Sequence, residues 1–276
     1  MEDPFRNPSA GRHDKPFSHR QKAFLILINR MGLEETQDFS RYEFKYLLNA
    51  DLRAQVESEI ANFMRFDGFA HPELDNAYIV RSLYFDDDDR THYYEKIDGQ
   101  LDRRKYRIRT YAKKFEANVP IFLELKGRYN QRVYKRRASL DPADLPVYLD
   151  PLRLSEFTSG EGNAFLEAFI YASLRRRLSP LVLVDYIRRP YVSDYDMNFR
   201  VTFDSDLRAT VTGELFPDDS PPWLLCEPGR TIVEFKFNRR IPAWFHRIVQ
   251  AYGLRRLSIS KFCRGMEKTG LATRLE

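Results

Sequence analysis

The feature that most constrains this chain is a repeated alternation of charged and apolar residues. In Lys105–Thr110, Lys105, Arg107 and Arg109 fall on one side of an extended segment, and Tyr106 and Ile108 on the other. In Ile121–Lys126, Glu124 and Lys126 share one side while Ile121, Leu123 and Leu125 share the opposite one. Successive side chains point to opposite faces of a strand, so each segment carries one charged and one greasy face. The same alternation returns in Arg41–Tyr46, Phe199–Asp204 and Ile232–Phe237. An antiparallel sheet closing into a barrel suits this pattern, because closure removes edges and gives an interior that can be polar. The expected fold is therefore α+β: an antiparallel eight-stranded β-barrel with helices packed on its apolar outside.

Eight strands are predicted, near residues 41, 78, 105, 121, 132, 181, 199 and 231. Residues 1–38 read as a leader with little to bury, apart from a short helix over Lys22–Met31, and 39–276 as the folded domain. Asn49 has the position of a helix N-cap, followed by Leu52, Val56, Ile60 and Phe63 at helical spacing. Helices are also predicted over Ala164–Leu178 and Pro242–Leu254. Asp86 falls on the charged side of its strand with Ser82 and Tyr84, while Asp87, Asp88 and Asp89 read as a solvated turn.

The chain of 276 residues has 43% hydrophobic residues, enough to build a substantial core. Its net charge of +5 suits an acidic partner. Two cysteines, Cys226 and Cys263, without metal-ligand spacing suggest reduced thiols and a cytoplasmic location. No apolar run approaches the ~20 residues of a membrane span. There is no glycine-rich phosphate loop, no histidine cluster with zinc spacing and no nucleophile triad.

The charged faces then carry the functional reading. Their cations include Lys45, Lys105, Arg107, Arg109, Lys126 and Lys135, with Arg189, Arg200 and Lys236 from the second half. Their carboxylates are Glu43, Asp86, Glu124, Asp204 and Glu234. Cations outnumber carboxylates about two to one, and a phosphate chain would balance the excess. The carboxylates could hold Mg²⁺ or Mn²⁺ bridging phosphates. A solvated outer surface, or nucleic-acid binding, would also accommodate such charges. A closed tunnel is too narrow for duplex DNA, so no specific nucleic acid is expected.

Seven motifs occur in an order that resembles a VTC domain: Arg41-Tyr42-Glu43-x-Lys45-Tyr46, Ser82–Asp86, Lys105–Arg109, Glu124-Leu125-Lys126, Arg200–Asp204, Glu234-Phe235-Lys236 and Ser260-Lys261-Phe262. The resemblance is to the polyphosphate polymerase branch of the triphosphate tunnel metalloenzymes, and to a stand-alone version of it. The resemblance implies ATP and inorganic polyphosphate as ligands, and transfer of the γ-phosphate of ATP to a growing chain. It implies that Lys45, Arg107, Arg109, Lys126, Lys135, Arg189 and Arg200 grip phosphates, with Lys236 among them and Lys261 at the tunnel end. It implies a divalent metal, Mn²⁺ or Mg²⁺, held chiefly by Glu234, with Glu124 and Glu43 as further ligands. The sequence departs from that pattern at Ser258, where a second lysine is usual, whereas Arg41, where the tunnel hydrolases carry glutamate, favours the polymerase branch. A metal-dependent triphosphatase and a non-catalytic polyphosphate- or nucleotide-binding module are the alternatives.

Overall fold

The computed structural model describes residues 37–39, 42–67, 75–129, 132–150, 152–156, 164–196, 198–218, 222–238 and 240–274. The leader to residue 36 and its helix over Lys22–Met31 lie outside the described residues. In chain order the elements are β1 (Gln37–Phe39), β2 (Tyr42–Asn49), α1 (Ala50–Ala61), β3 (Arg65–Phe66), β4 (Tyr78–Asp86), α2 (Thr91–Ile97), β5 (Asp102–Thr110), β6 (Ile121–Tyr129) and β7 (Arg132–Leu140). The second half adds α3 (Leu145–Leu149), α4 (Ala164–Arg176), β8 (Ser179–Val192), β9 (Arg200–Val211), β10 (Leu224–Leu225), β11 (Arg230–Phe237), α5 (Ala243–Ala251) and α6 (Lys261–Lys268). Eight of the strands are those expected from the sequence, most of them from alternation and β8 from its run of β-forming residues. The short β1, β3 and β10 carry no such signal.

All strands join one antiparallel sheet in the order β1-β7-β6-β5-β4-β8-β9-β11-β2, with β10 beside β9 and β3 beside β8. The expected closed eight-stranded barrel is not formed as a ladder: among the described residues the end strands β1 and β2 share no pairing. The sheet nevertheless curls until its ends meet. Phe39 and Tyr42 are three residues apart, a span of at most about 11 Å of chain. Lys126 of β6 also reaches across to donate to Glu43 of β2 at 2.9 Å.

Helices cover the apolar outer faces. Phe165 and Phe169 of α4 are fully buried against β4–β7, Phe169 packing on Phe85 and Tyr106 with ring centroids 5.4 and 5.3 Å away. Val56 and Ile60 of α1 and Phe245 and Ile248 of α5 bury against β2, β9 and β11. Asn49 caps α1 as predicted, its Oδ1 accepting from the Leu52 amide at 2.8 Å.

Helix α6 packs on the concave side instead. A Cβ at Gly265 would sit 3.0 Å from Val184 Cγ2 and 3.3 Å from Ala209 Cβ, so the glycine permits close helix-to-sheet approach. Val184 shares strand parity with Tyr186, which lines the cavity beside α6. Asp86 is a correction to the sequence reading. It is buried outside the cavity and accepts from the amides of His92 and Tyr93, starting α2. The β4–β8 register shifts between Tyr84 and Phe85, just before it.

Candidate functional site

The concave face and the N-terminal end of α6 enclose a cavity of about 680 Å³. Fourteen Lys and Arg side chains line it, against three carboxylates, Glu43, Glu124 and Glu234. Two walls hold most of the charge.

On the first wall, Arg107, Glu124 and Arg137 stand directly opposite one another across β5, β6 and β7. Glu124 is fully buried and accepts from Arg107 Nε and Arg137 Nε, both at 2.7 Å. Lys135 lies 2.9 Å and Arg109 3.6 Å from its oxygens. Burial opposes ionisation of Glu124, but these four cations outweigh it and hold its carboxyl well below the ordinary range. Lys135 differs from the guanidiniums. Burial, reinforced by Arg137 and Arg107, pushes its ammonium down to about 8 although Glu124 beside it pulls the other way. Arg107 also donates to Tyr84 Oη at 3.0 Å, and Arg109 to Ser82 Oγ at 3.0 Å and Tyr186 Oη at 3.2 Å. Burial would raise the Tyr84 phenol, yet Arg107 and Arg109 lower it.

On the second wall, Glu234 of β11 faces Lys45 of β2 in register. Its oxygens lie 2.7 Å from Lys261, 3.2 Å from Lys45, 3.3 Å from Lys236 and 3.6 Å from Arg188. Asp204 anchors Lys261 at 2.5 Å and takes a two-pronged contact from Arg188, both arms at 2.7 Å. Despite burial, Lys261 and its neighbours hold Glu234 well below its usual value, and Arg188 and Lys261 lower Asp204. Glu43 is likewise depressed against burial, by Lys126 and Lys45.

Lys45, Arg107, Arg109, Lys126, Lys135, Lys236 and Lys261 therefore face one cavity, together with Glu43, Glu124 and Glu234. Arg189 does not. It lies on the opposite side of β8, bound to Asp75 and, at 2.9 Å, to Glu57. Its neighbour Arg188 takes the inward place, because the register pairs Tyr78 with Arg188 and Val80 with Tyr186. Arg200 is opposite Lys236 but starts β9, is exposed and lies outside the cavity lining. Sequence reasoning also missed Arg137, which shares parity with Lys135, and Lys96, which comes from α2 and has no strand parity to reveal it. Lys96 Nζ donates to Ser258 Oγ at 3.1 Å, placing an ammonium beside the residue that departs from the motif.

Among the described residues no three His, Cys, Asp or Glu side chains cluster as a ready-made metal site. Glu124 and Glu234 each have four cations at their oxygens, and it is the neighbouring carboxylate of Glu43 that singles out Glu234. Glu234 and Glu43 fit better. Both approach Lys236, at 3.3 and 3.9 Å, so their carboxylates flank one point. A hard divalent cation commonly uses one or two carboxylates and completes its shell with substrate phosphates and water.

Among the described residues no helix is long and apolar enough to cross a membrane, and both cysteines are free thiols. No curated protein matches the chain. Similar solved structures include a candidate adenylate cyclase from Bacillus halodurans, 14% identical, covering 81% of this chain and 95% of that one at a TM-score of 0.49. The PH1819 protein of Pyrococcus horikoshii OT3 is 12% identical over 78% of this chain and 92% of its own, TM-score 0.39. The Mimivirus capping enzyme triphosphatase is 10% identical over 86% and 97%, TM-score 0.29. The family model of the VTC domain matches residues 40–269, from the start of the charged alternation to the end of α6, and the chain belongs to the VTC domain family.

Proposed function

We propose that this protein transfers the γ-phosphate of ATP to a growing inorganic polyphosphate chain within the cavity. The observation that carries this reading is the convergence of fourteen cations on one concave surface with three carboxylates. Such a surface is self-repelling when empty and complementary to a polyanion. Arg107, Arg109, Lys45, Lys126 and Lys135 would hold phosphate oxygens, joined by Arg188, Lys236 and Lys261. Arg189 and Arg200 have no part in this proposal.

In the reaction, a terminal oxygen of the chain attacks the γ-phosphorus, the bond to the β,γ-bridging oxygen breaks and ADP leaves. Charge spreads over the equatorial oxygens during transfer, so positioned cations supply most of the catalysis and no covalent intermediate on the protein is needed. A divalent metal held by Glu234 and Glu43 would neutralise further charge on the transferring phosphates.

Product analysis after incubation with ATP and Mn²⁺ tests the proposal. Long phosphate chains are the expected product. Free phosphate alone would instead assign a triphosphatase, and binding without turnover would assign a polyphosphate- or nucleotide-binding module.

A further inference from the structure

Ser258, where the chain departs from the motif of its family, lies in a segment that the transfer reaction leaves without a role. Residues 254–260, between α5 and α6, form neither helix nor strand. The chain leaves α5 through Gly253 at φ +56° and is pinned by Leu254 and Ile259, both buried. Between these anchors Arg255, Arg256, Leu257 and Ser258 are exposed. The segment is a strap along one side of the cavity, and residues 256–260 line it. On its β2 side the Leu257 amide donates to the Lys45 carbonyl at 2.8 Å, and Lys45 Nζ donates to the Ile259 carbonyl at 3.0 Å. The Arg256 guanidinium lies 3.8 Å above the Phe44 ring. On the other side Lys96 Nζ donates to Ser258 Oγ and Lys105 Nζ to Ser260 Oγ, both at 3.1 Å.

The strap carries no carboxylate, so it offers these lysines only hydroxyls and carbonyls. Lys96 meets no carboxylate among the described residues. It is half-buried, and burial lowers its hold on the proton, with Arg103, Lys45 and Arg128 adding to the effect. An anion at the end of the Ser258 side chain would give this ammonium the partner it lacks. The sequence around the serine supplies a route to one. Arg255 and Arg256 stand three and two positions before Ser258, and the apolar Ile259 follows it. Neither arginine is in an ion pair among the described residues. Two guanidiniums on an extended backbone ahead of a serine suit a basophilic serine kinase, whose substrate groove meets them with carboxylates.

We propose that Ser258 is a phosphorylation site for a basophilic serine kinase, and that its phosphate, held by Lys96, shuts the cavity to triphosphate and polyphosphate. The inhibitory half rests on the phosphate reading of the cavity; the modification itself does not. In the kinase, Ser258 Oγ attacks the γ-phosphorus of ATP, the bond to the β,γ-bridging oxygen breaks, ADP leaves and the hydroxyl proton passes to the kinase's catalytic aspartate. The phosphoserine carries a charge of about −1.5 to −2 and three acceptor oxygens. It replaces a neutral contact at Lys96 by a charge-assisted pair. It also sets negative charge in the cavity wall, where it repels an incoming polyanion and takes a cation from it.

Incubation of the full chain with ATP and the catalytic subunit of a cyclic-AMP-dependent kinase, read by mass spectrometry, tests the site. One phosphate on Ser258 is expected, absent from Ser258→Ala. Arg255→Ala, outside the cavity lining, should slow the modification by about tenfold or more through loss of one charged contact to the kinase. Calorimetric titration with tripolyphosphate tests the consequence. The phosphorylated chain should bind about tenfold or more weakly than the same chain carried through ATP without kinase. Ser258→Ala carried through the kinase should bind as its own kinase-free control does. A kinase that leaves Ser258 unmodified, phosphate reaching Ser258 equally without kinase, or undiminished tripolyphosphate affinity after phosphorylation would each overturn the proposal. If the kinase-free chain binds no tripolyphosphate, the phosphate reading and the inhibitory half fall together, while the mass shift still decides the site.

Discussion

Glu124 acts as an anion built into the protein, holding Arg107, Arg109, Lys135 and Arg137 convergent. Breaking a buried ionic cluster by removing one partner costs roughly 3–5 kcal/mol, because the remaining charges are left uncompensated. Glu124→Gln should therefore lower unfolding free energy by about 3 kcal/mol in chemical denaturation. Tripolyphosphate should then raise the melting temperature of this variant by more than it raises the parent's, since the ligand supplies the missing negative charge. An undiminished denaturation midpoint would show that the cations are held by other contacts. Lys135 gives a separate handle, its ammonium being pushed down to about 8. The native state binds fewer protons at this lysine than the unfolded chain does between pH 8 and its ordinary value of about 10.4. Its contribution to stability therefore rises with pH across that window. Phosphate binding has the opposite preference, favouring the charged form. Tripolyphosphate affinity should fall by roughly tenfold between pH 7 and 9, with proton uptake on binding, and Lys135→Arg should flatten that dependence. An unchanged pH profile in Lys135→Arg would locate the titration elsewhere.

Among the elements, α6 has the most to lose from a small change. Its Gly265 lies against Val184, itself fully buried and β-branched, so that neighbour has little freedom to yield. Gly265→Ala would gain up to about 1 kcal/mol of helix propensity. Overpacking typically costs about 1–3 kcal/mol and should win. The variant is expected to melt lower, with weaker tripolyphosphate binding, because shifting α6 draws Lys261 away from Asp204 and Glu234. A higher melting point would mean that the helix has slack against the sheet. The elements also differ in how far they could be read from sequence. On β5, β6 and β11, one face is greasy and the other charged, so parity alone places Arg107, Glu124 and Glu234. In β8, Leu181–Ile187 is apolar at nearly every position, since α6 covers the concave side of the strand. With no alternation to set its face, Arg189 could not be told from Arg188. Asp86 was misplaced because its strand ends in a cap, and Lys96 was invisible because it reaches the cavity from a helix.

At the scale of the whole molecule, the seam between the two sheet ends is the exception to the ladder. Elsewhere neighbouring strands are hydrogen-bonded in register; there, Lys126 and Glu43 reach across. Lys126 is exposed and Glu43 only partly buried, so Glu43→Gln should cost far less global stability than Glu124→Gln. Its effect should be local: faster amide hydrogen exchange in β2 and the β6–β7 hairpin, with β8 and β9 unchanged. Uniform acceleration across the sheet would show that the seam is no weaker than the rest. Yet two residues of covalent chain join Phe39 to Tyr42, and their reach limits any gape however many weak contacts part. On the proposed reading, a polymer inside would be barred by this link from lifting off at that end of the seam and would leave by sliding along its own axis. Release would then slow as the polymer lengthens, and repeated additions would occur in one encounter with no single contact having to be tight.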